Sequence, residues 1–137
     1  MKILLDTHLL IWCCTNIKML SQNALSYITD IENEIFFSSA SIWETQIKYV
    51  KNKLEFPISG SMLHQYCLQS GMKCLVVKPE HSFLLDSLTY SDKAPRLHKD
   101  PFDRILICQA KAKNMLFLTH DELLPYYNDS CVISVWI

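Results

Sequence analysis

Short apolar runs alternate along the chain with longer segments whose apolar residues recur at helical spacing. Four runs predict buried strands at Lys2–Leu5, Glu34–Ser38, Cys74–Val77 and Met115–Leu118, and Val132–Trp136 predicts a fifth. Helices are predicted between them, beginning near Thr7, Ser21, Ser39 or Ser41, Ser61, Pro79 and Pro101. This alternation predicts one α/β domain over residues 1–137, with a mostly parallel central sheet of four to five strands.

The third predicted helix, which ends near Asn52, carries a row of large apolar side chains. Trp43, Ile47 and Val50 recur about one helical turn apart, which predicts an amphipathic helix. We expect Trp43 to lie in the core or in an interface, since a tryptophan at this spacing more often packs there than stacks on a base.

Two acidic residues follow two of the predicted strands closely. Asp6 comes directly after the first strand, and Asp121 follows the fourth after only Thr119 and His120. In open parallel sheets, binding sites lie beyond the carboxyl ends of the strands. The topology therefore predicts that Asp6 and Asp121 arrive at the same edge of the sheet. A carboxylate at the end of a buried strand also needs a partner, and no Lys or Arg is adjacent to Asp6.

Other acidic residues stand where a helix is expected to begin, so they have a structural explanation too. Ser41 and Glu44 have the spacing of a capping box. Asp100 fits the N-cap of the sixth helix, Asp103 its first turn, and Asp121 could cap a short helix over 122–126. From the residues alone, each of these acids is either a helix cap or part of a site.

Charge gives no strong indication of a nucleic-acid partner. The net charge is −1, and the 13 basic residues include only two arginines, whereas nucleic-acid binders usually carry a basic surplus. Near the acidic motifs, Lys48, Lys51 and Arg104 are candidates for phosphate contact. Lys48 also lies one turn from Glu44, so it is expected either to pair with that acid or to meet RNA.

The cysteines and the hydropathy pattern indicate a cytoplasmic protein outside any membrane. The six cysteines include no CxxC pair and mostly sit in apolar stretches, which favours buried, reduced thiols. No apolar run approaches the roughly 18–20 residues that span a bilayer. Asp6 and His8 interrupt the apolar start before it could serve as a signal peptide.

Four segments taken together carry a family resemblance. Their order resembles that of the PIN-domain ribonucleases, and specifically of VapC-type toxins from bacterial toxin–antitoxin pairs. The segments are Leu5–His8, Ser41–Glu44, His98–Arg104 and Leu118–Asp121. The resemblance runs from Met1 to about Trp136 and implies a three-layer α/β/α domain.

The resemblance also implies the chemistry. It places Asp6, Glu44, Asp103 and Asp121 as the family's four acids, with Asp100 as an additional candidate ligand. Thr119 is expected to hold a neighbouring carboxylate by a hydrogen bond. The implied activity is hydrolysis of RNA phosphodiester bonds with Mg²⁺ or Mn²⁺, which favour oxygen ligands. A cognate antitoxin and a homodimer are the implied protein partners.

The histidines contribute little to this hypothesis. His8 and His120 stand beside proposed ligands and are expected at the surface or behind the ligands. His64, His81 and His98 carry no signal in the sequence.

Two other classes stay open. A PIN scaffold could be retained as an RNA- or protein-binding module without catalysis, although intact acids at all four positions disfavour this. A haloacid-dehalogenase-like phosphatase also begins with an acid at the end of a strand. It needs a second Asp two residues later, where this chain has His8.

Overall fold

The computed structural model describes residues 1–135, in which five short strands form one parallel sheet. The strands are β1 (Lys2–Leu5), β2 (Glu34–Ser38), β3 (Lys73–Leu75), β4 (Leu116–Thr119) and β5 (Val132–Ser134). Their order across the sheet is β3-β2-β1-β4-β5, and every neighbouring pair is parallel. The predicted, mostly parallel sheet is confirmed, with β1 at its centre.

Helices connect the strands and cover both faces of the sheet. They are α1 (Thr7–Thr15), α2 (Gln22–Thr29), α3 (Ser39–Lys51), α4 (Gly60–Gln69), α5 (Pro79–Ser82) and α6 (Pro101–Lys113). Single 3₁₀ turns lie at Ile17–Met19, Phe83–Ser87 and Leu124–Tyr126. Within residues 1–135, no helix has both the length and the apolar character needed to cross a membrane.

Alternate residues of the central strands pack into two separate hydrophobic cores, one on each face of the sheet. On β1, Ile3 and Leu5 pack with α1, α2 and α4, whereas Leu4 points to the opposite face and packs with α6. On β4, Phe117 joins the α6 side and Leu118 the other. Both faces of each central strand are therefore apolar, as expected for a parallel sheet between two helical layers. The predicted three-layer α/β/α fold is confirmed.

The strand order creates a switch point between β1 and β4. The chain builds outward from β1 through β2 to β3 and then crosses back to place β4 on the other side of β1. The connections leaving β1 and β4 diverge at this point, which is where open α/β sheets form their sites. The Asp6 amide donates to the carbonyl of Leu118 at 3.0 Å, so the two strand ends stay paired up to the edge.

Several predicted boundaries were wrong by a few residues. The third strand is Lys73–Leu75 and not Cys74–Val77, because β2 ends at Ser38 and leaves the later residues without a strand partner. The predicted fourth strand begins one residue later than expected, at Leu116. The helix predicted from Pro79 is a single α-helical turn followed by a 3₁₀ segment. Of the predicted fifth strand, Trp136 lies outside the described residues.

The cysteines are only partly the buried thiols predicted from the sequence. None of the six forms a disulfide. Cys67 and Cys108 are buried, and burial raises the pKa of the Cys67 thiol to about 12. Cys74 is exposed, because it lies on β3 at the edge of the sheet. The thiols in the core therefore behave as small hydrophobic groups.

Helix α3 is held against α4 by a close backbone approach, which provides a test of the packing. A Cβ added to Gly60 would lie 2.9 Å from the Ile42 carbonyl oxygen and 3.0 Å from Gln46 Cβ. We expect Gly60→Ala to lower the free energy of unfolding by about 1–3 kcal/mol through overpacking, measured by urea denaturation. Ser61→Ala, at the next and exposed position, is the matched control. Unchanged stability in Gly60→Ala would contradict this packing.

Candidate active site

Asp6 is a buried carboxylate that three donors hold at the end of β1. It caps α1 by accepting from the Leu9 amide at 2.8 Å. Its other oxygen accepts from the Thr119 hydroxyl at 2.5 Å and the His120 amide at 3.0 Å. Burial raises the pKa of Asp6, and the hydrogen bonds from Thr119 and Leu9 oppose that rise. The helix predicted to begin near Thr7 does begin there, with Asp6 as its N-cap.

Thr119 links the first and fourth acids of the motif. Its hydroxyl donates to Asp6 and accepts from the Asp121 amide at 3.0 Å, so it contacts both residues at once. The Asp121 carboxylate accepts from the Leu123 amide at 2.7 Å in the turn that precedes the 3₁₀ segment Leu124–Tyr126. The sequence predicted a hydrogen bond from Thr119 to a neighbouring carboxylate, and the structure contains it.

Glu44 is almost fully buried, at 3% exposure, and faces α1. One carboxylate oxygen accepts from the Thr7 hydroxyl at 2.8 Å, and the other pairs with the Lys48 ammonium at 2.8 Å. The capping-box explanation is wrong, because Ser38 caps α3 and Ser41 lies inside the helix. Glu44 therefore points into the site from the second turn of α3, and Lys48 offsets its charge.

Asp103 comes to the same edge from the start of α6. Asp100 caps this helix by accepting from the Phe102 and Asp103 amides at 2.8 and 3.3 Å. Burial raises the pKa of Asp103, and the negative charges of Asp100, Asp6 and Glu44 raise it further. Asp103 thus feels the charges of three other acids, two of which come from distant stretches of sequence. Asp100 is a helix cap in this structure, and its role as a ligand stays a prediction.

His98 is a member of the site that the sequence did not reveal. Its Nε2 lies 3.1 Å from an Asp103 carboxylate oxygen, and its Nδ1 lies 2.8 Å from the Tyr127 hydroxyl. Potential ligand atoms of His98, Asp103 and Asp121 all lie within 4.8 Å of one another. In the sequence, only its position two residues before Asp100, the N-cap of α6, could have indicated that His98 lies near the site. A loop residue has no periodicity to indicate which way it faces.

These side chains form a donor set suited to a divalent cation. Carboxylates separated by about 4 Å repel by about 4 kcal/mol at an effective dielectric constant of 20, so several of them together need positive charge. Lys48 supplies one such charge, but it contacts Glu44 alone among the acids. Mg²⁺ and Mn²⁺ accept carboxylate oxygens as ligands, and the first-row transition metals also accept an imidazole nitrogen. The residues present therefore fit a cation.

The structure separates the three basic residues predicted near the site. Lys48 is engaged with Glu44, which agrees with the pairing alternative. Lys51 is exposed at the last turn of α3. Arg104 lies beside Tyr127: burial raises the pKa of the Tyr127 hydroxyl, and the guanidinium opposes that rise. Contact of these residues with RNA stays a prediction.

Comparison with known families agrees with this arrangement. The family model described as the PIN domain matches residues 3–128, which is most of the chain. The chain belongs to the PIN domain family. The predicted family is therefore confirmed, and the matched region includes every acid discussed above. No curated protein sequence matches the chain.

Several solved structures have similar folds. A chain of VapBC2 from Rickettsia felis, bound to a DNA fragment from its promoter, superposes with a TM-score of 0.68 at 16% identity, covering 98% of each chain. FitAcB from Neisseria gonorrhoeae superposes with a TM-score of 0.65 at 17% identity, again covering 98% of each chain. VapBC-1 from nontypeable Haemophilus influenzae superposes with a TM-score of 0.54 at 14% identity, covering 88% of this chain and 87% of the other. At these identities the comparison establishes the fold.

Repulsion among the acids is expected to lower the stability of the fold when no cation is bound. Because the pKa of Asp103 is raised on folding, its ionised form destabilises the cation-free fold, and stability falls as pH rises through that raised value. We expect Asp103→Asn in excess EDTA at pH 7 to raise Tm by about 3–5 °C, the shift produced by roughly 1 kcal/mol. The asparagine oxygen can still accept from His98. The gain should disappear as pH falls towards the ordinary aspartate range.

Calorimetry with and without a divalent cation checks this prediction. Mn²⁺ should raise Tm of the unsubstituted protein more than that of Asp103→Asn, since bound cation stabilises the folded state. Asp92→Asn, in an exposed part of the loop before α6, is the charge-matched control and should change neither value. A lower Tm for Asp103→Asn in EDTA at pH 7 would contradict the repulsion.

Proposed function

We propose that this PIN domain is an endoribonuclease that uses Mg²⁺ or Mn²⁺ and serves as the toxin of a toxin–antitoxin pair in the cytoplasm. The observation that carries the proposal is the convergence of Asp6, Glu44, Asp103 and Asp121 at the switch point of the sheet. The charges of Asp6 and Glu44 act on Asp103, and Asp103 and Asp121 offer ligand atoms within 4.8 Å of each other, which favours a cation. Helix capping does not account for Glu44, which lies buried inside α3, or for the second oxygen of Asp6, which accepts from Thr119 and His120.

The bound cation would orient a water, ease its deprotonation and neutralise charge on the leaving oxygen. The chain's own residues supply the rigid frame for that chemistry. Asp6 is fixed by three donors, and Thr119 couples it to the segment bearing Asp121. Thr7, next to Asp6 in sequence, holds Glu44 through its hydroxyl. Carboxylates fixed in this way lose little orientational freedom on binding a cation and a phosphate.

RNA recognition would depend on a few local contacts. The net charge of −1 offers little general attraction for a polyanion, so weak, salt-sensitive non-specific binding is expected. Exposed Lys51 and partly exposed Arg104 lie on α3 and α6, the helices that carry Glu44 and Asp103. We propose that Lys51 and Arg104 contact the RNA phosphates, and that Lys48 stays paired with Glu44.

Substitution of the two acids supported by topology tests catalysis. Asp6→Asn and Asp121→Asn should each abolish RNA cleavage while leaving the far-ultraviolet circular dichroism spectrum unchanged. Asp92→Asn is the exposed control and should cleave normally. Excess EDTA should stop cleavage by the unsubstituted protein. Full activity in either site variant at saturating Mn²⁺ would overturn the assigned roles.

The same variants separate the proposal from its alternatives. A non-catalytic RNA-binding module would bind RNA without cleaving it. Any cleavage in its preparations would come from a contaminating nuclease and would not depend on Asp6 or Asp121. A phosphatase would hydrolyse a small aryl phosphate in preference to RNA. We expect cleavage of RNA and no turnover of the aryl phosphate.

An apolar groove between α3 and α6 supports a protein partner. It is lined by Trp43, Val77, Phe102 and Ile105, and the Trp43 and Phe102 rings pack edge to face with centroids 5.3 Å apart. Trp43 remains 65% exposed. We propose that an antitoxin lays an apolar segment in this groove and reaches the acids from it. The similar folds VapBC2 and FitAcB come from complexes, which supports the idea.

Co-expression with a neighbouring small open reading frame tests this partner. The product should co-purify with the chain and inhibit RNA cleavage. Trp43→Ser should weaken the complex about 10-fold or more, as loss of a buried aromatic anchor does. Trp12→Ser, at a tryptophan outside the groove, is the control, and equal weakening in both would contradict the groove. Light scattering of the chain alone tests the proposed homodimer.

A further inference from the structure

His98 occupies a place among the acids that the proposed function leaves without a role. Its side chain is only 5% exposed, and its Nε2 faces Asp103 at 3.1 Å. Asp121 also offers a carboxylate oxygen within 4.8 Å of the other two ligand atoms. An imidazole nitrogen therefore lies beside the carboxylates of an otherwise all-oxygen set.

The distance between His98 and Asp103 is that between two ligands of one ion. Neighbouring ligands on an octahedral cation with bonds of about 2.1 Å lie about 3 Å apart, and opposite ligands about 4.2 Å. The separation of His98 Nε2 from the Asp103 oxygen, 3.1 Å, equals the distance between neighbouring ligands. Without a cation, the same distance accommodates a hydrogen bond from Nε2–H to Asp103.

The second nitrogen of His98 is held as metal-binding histidines usually are. Histidine ligands generally make a hydrogen bond through the ring nitrogen that does not touch the metal, which fixes the tautomer and the ring plane. Nδ1 of His98 lies 2.8 Å from the Tyr127 hydroxyl. With Nδ1–H donating to that oxygen, the Nε2 lone pair is free to face Asp103 and Asp121.

The loop that carries His98 is tied to the segment that carries Asp121. The Tyr90 hydroxyl donates to the Leu123 carbonyl at 3.1 Å, and the Ser91 amide donates to the Tyr126 carbonyl at 2.9 Å. Tyr90 and Tyr127 also form an antiparallel bridge and pack ring to ring at 4.7 Å. The imidazole is therefore preorganised by the fold.

We propose that His98 is a nitrogen ligand of the catalytic cation, positioned by Tyr127, and that the site consequently favours Mn²⁺ over Mg²⁺. This inference rests on the proposed function, because it concerns the same cation. Imidazole is a poor ligand for Mg²⁺ but a good one for the first-row transition metals. One imidazole among carboxylates shifts the selectivity of the site without altering its overall charge.

Pulsed electron paramagnetic resonance of the Mn²⁺-loaded protein tests the ligand directly. A bound imidazole gives a ¹⁴N coupling in the electron spin echo, which carboxylates and water do not. We expect this coupling in the unsubstituted protein and its loss in His98→Gln. Tyr127→Phe should retain the coupling. His64→Gln, at an exposed histidine on α4, is the matched control and should resemble the unsubstituted protein.

Calorimetric titration with Mn²⁺ and with Mg²⁺ provides the second measurement. His98→Gln should lose about 10–100-fold in Mn²⁺ affinity, and Tyr127→Phe about 10-fold, with little change for Mg²⁺. Mn²⁺ binding without a ¹⁴N coupling in the unsubstituted protein would overturn the inference alone. So would a coupling that persists in His98→Gln. If the unsubstituted protein bound neither cation, the proposed metal-dependent function would fall with it.

Discussion

The buried carboxylate of Asp6 is the constraint on which the rest of the site depends. A carboxylate at 2% exposure at the end of a central strand is costly unless donors surround it. The donors come from the first turn of α1 and from the end of β4, so satisfying Asp6 fixes both elements against β1. The strand order β2-β1-β4 makes this possible, because it brings the end of β4 beside the end of β1.

The other acids are held by partners that also limit their repulsion. Lys48 pairs with Glu44, and His98 contacts Asp103, whose pKa is raised by burial and by the neighbouring acids. The fold therefore maintains an unfavourable concentration of negative charge next to its core. A cation binds such a site more tightly, because its charge relieves the repulsion among acids that folding has brought together.

How far the sequence predicted this site depends on whether a residue's position follows from local or long-range structure. Asp6 and Asp121 were placed from topology, because an acid directly after a parallel strand must reach the sheet edge. Glu44 had a competing local explanation, and only the cap at Ser38 and the contact with Thr7 decide against it. His98 was missed because its direction is set largely by Tyr90 and Tyr127, which lie in other segments.

Helix α3 shows why an apolar stripe does not always mark the buried face of a helix. Its buried residues are small or polar, namely Ala40, Ser41, Glu44 and Thr45, whereas Trp43 and Val50 are more than half exposed. The inward face is polar because it lines the site. Trp43 points outward instead, where the groove beside Phe102 meets solvent. A helix with this inverted pattern is stable at little cost if a second protein covers its outer face, which is the arrangement that an inhibitory partner of this site requires.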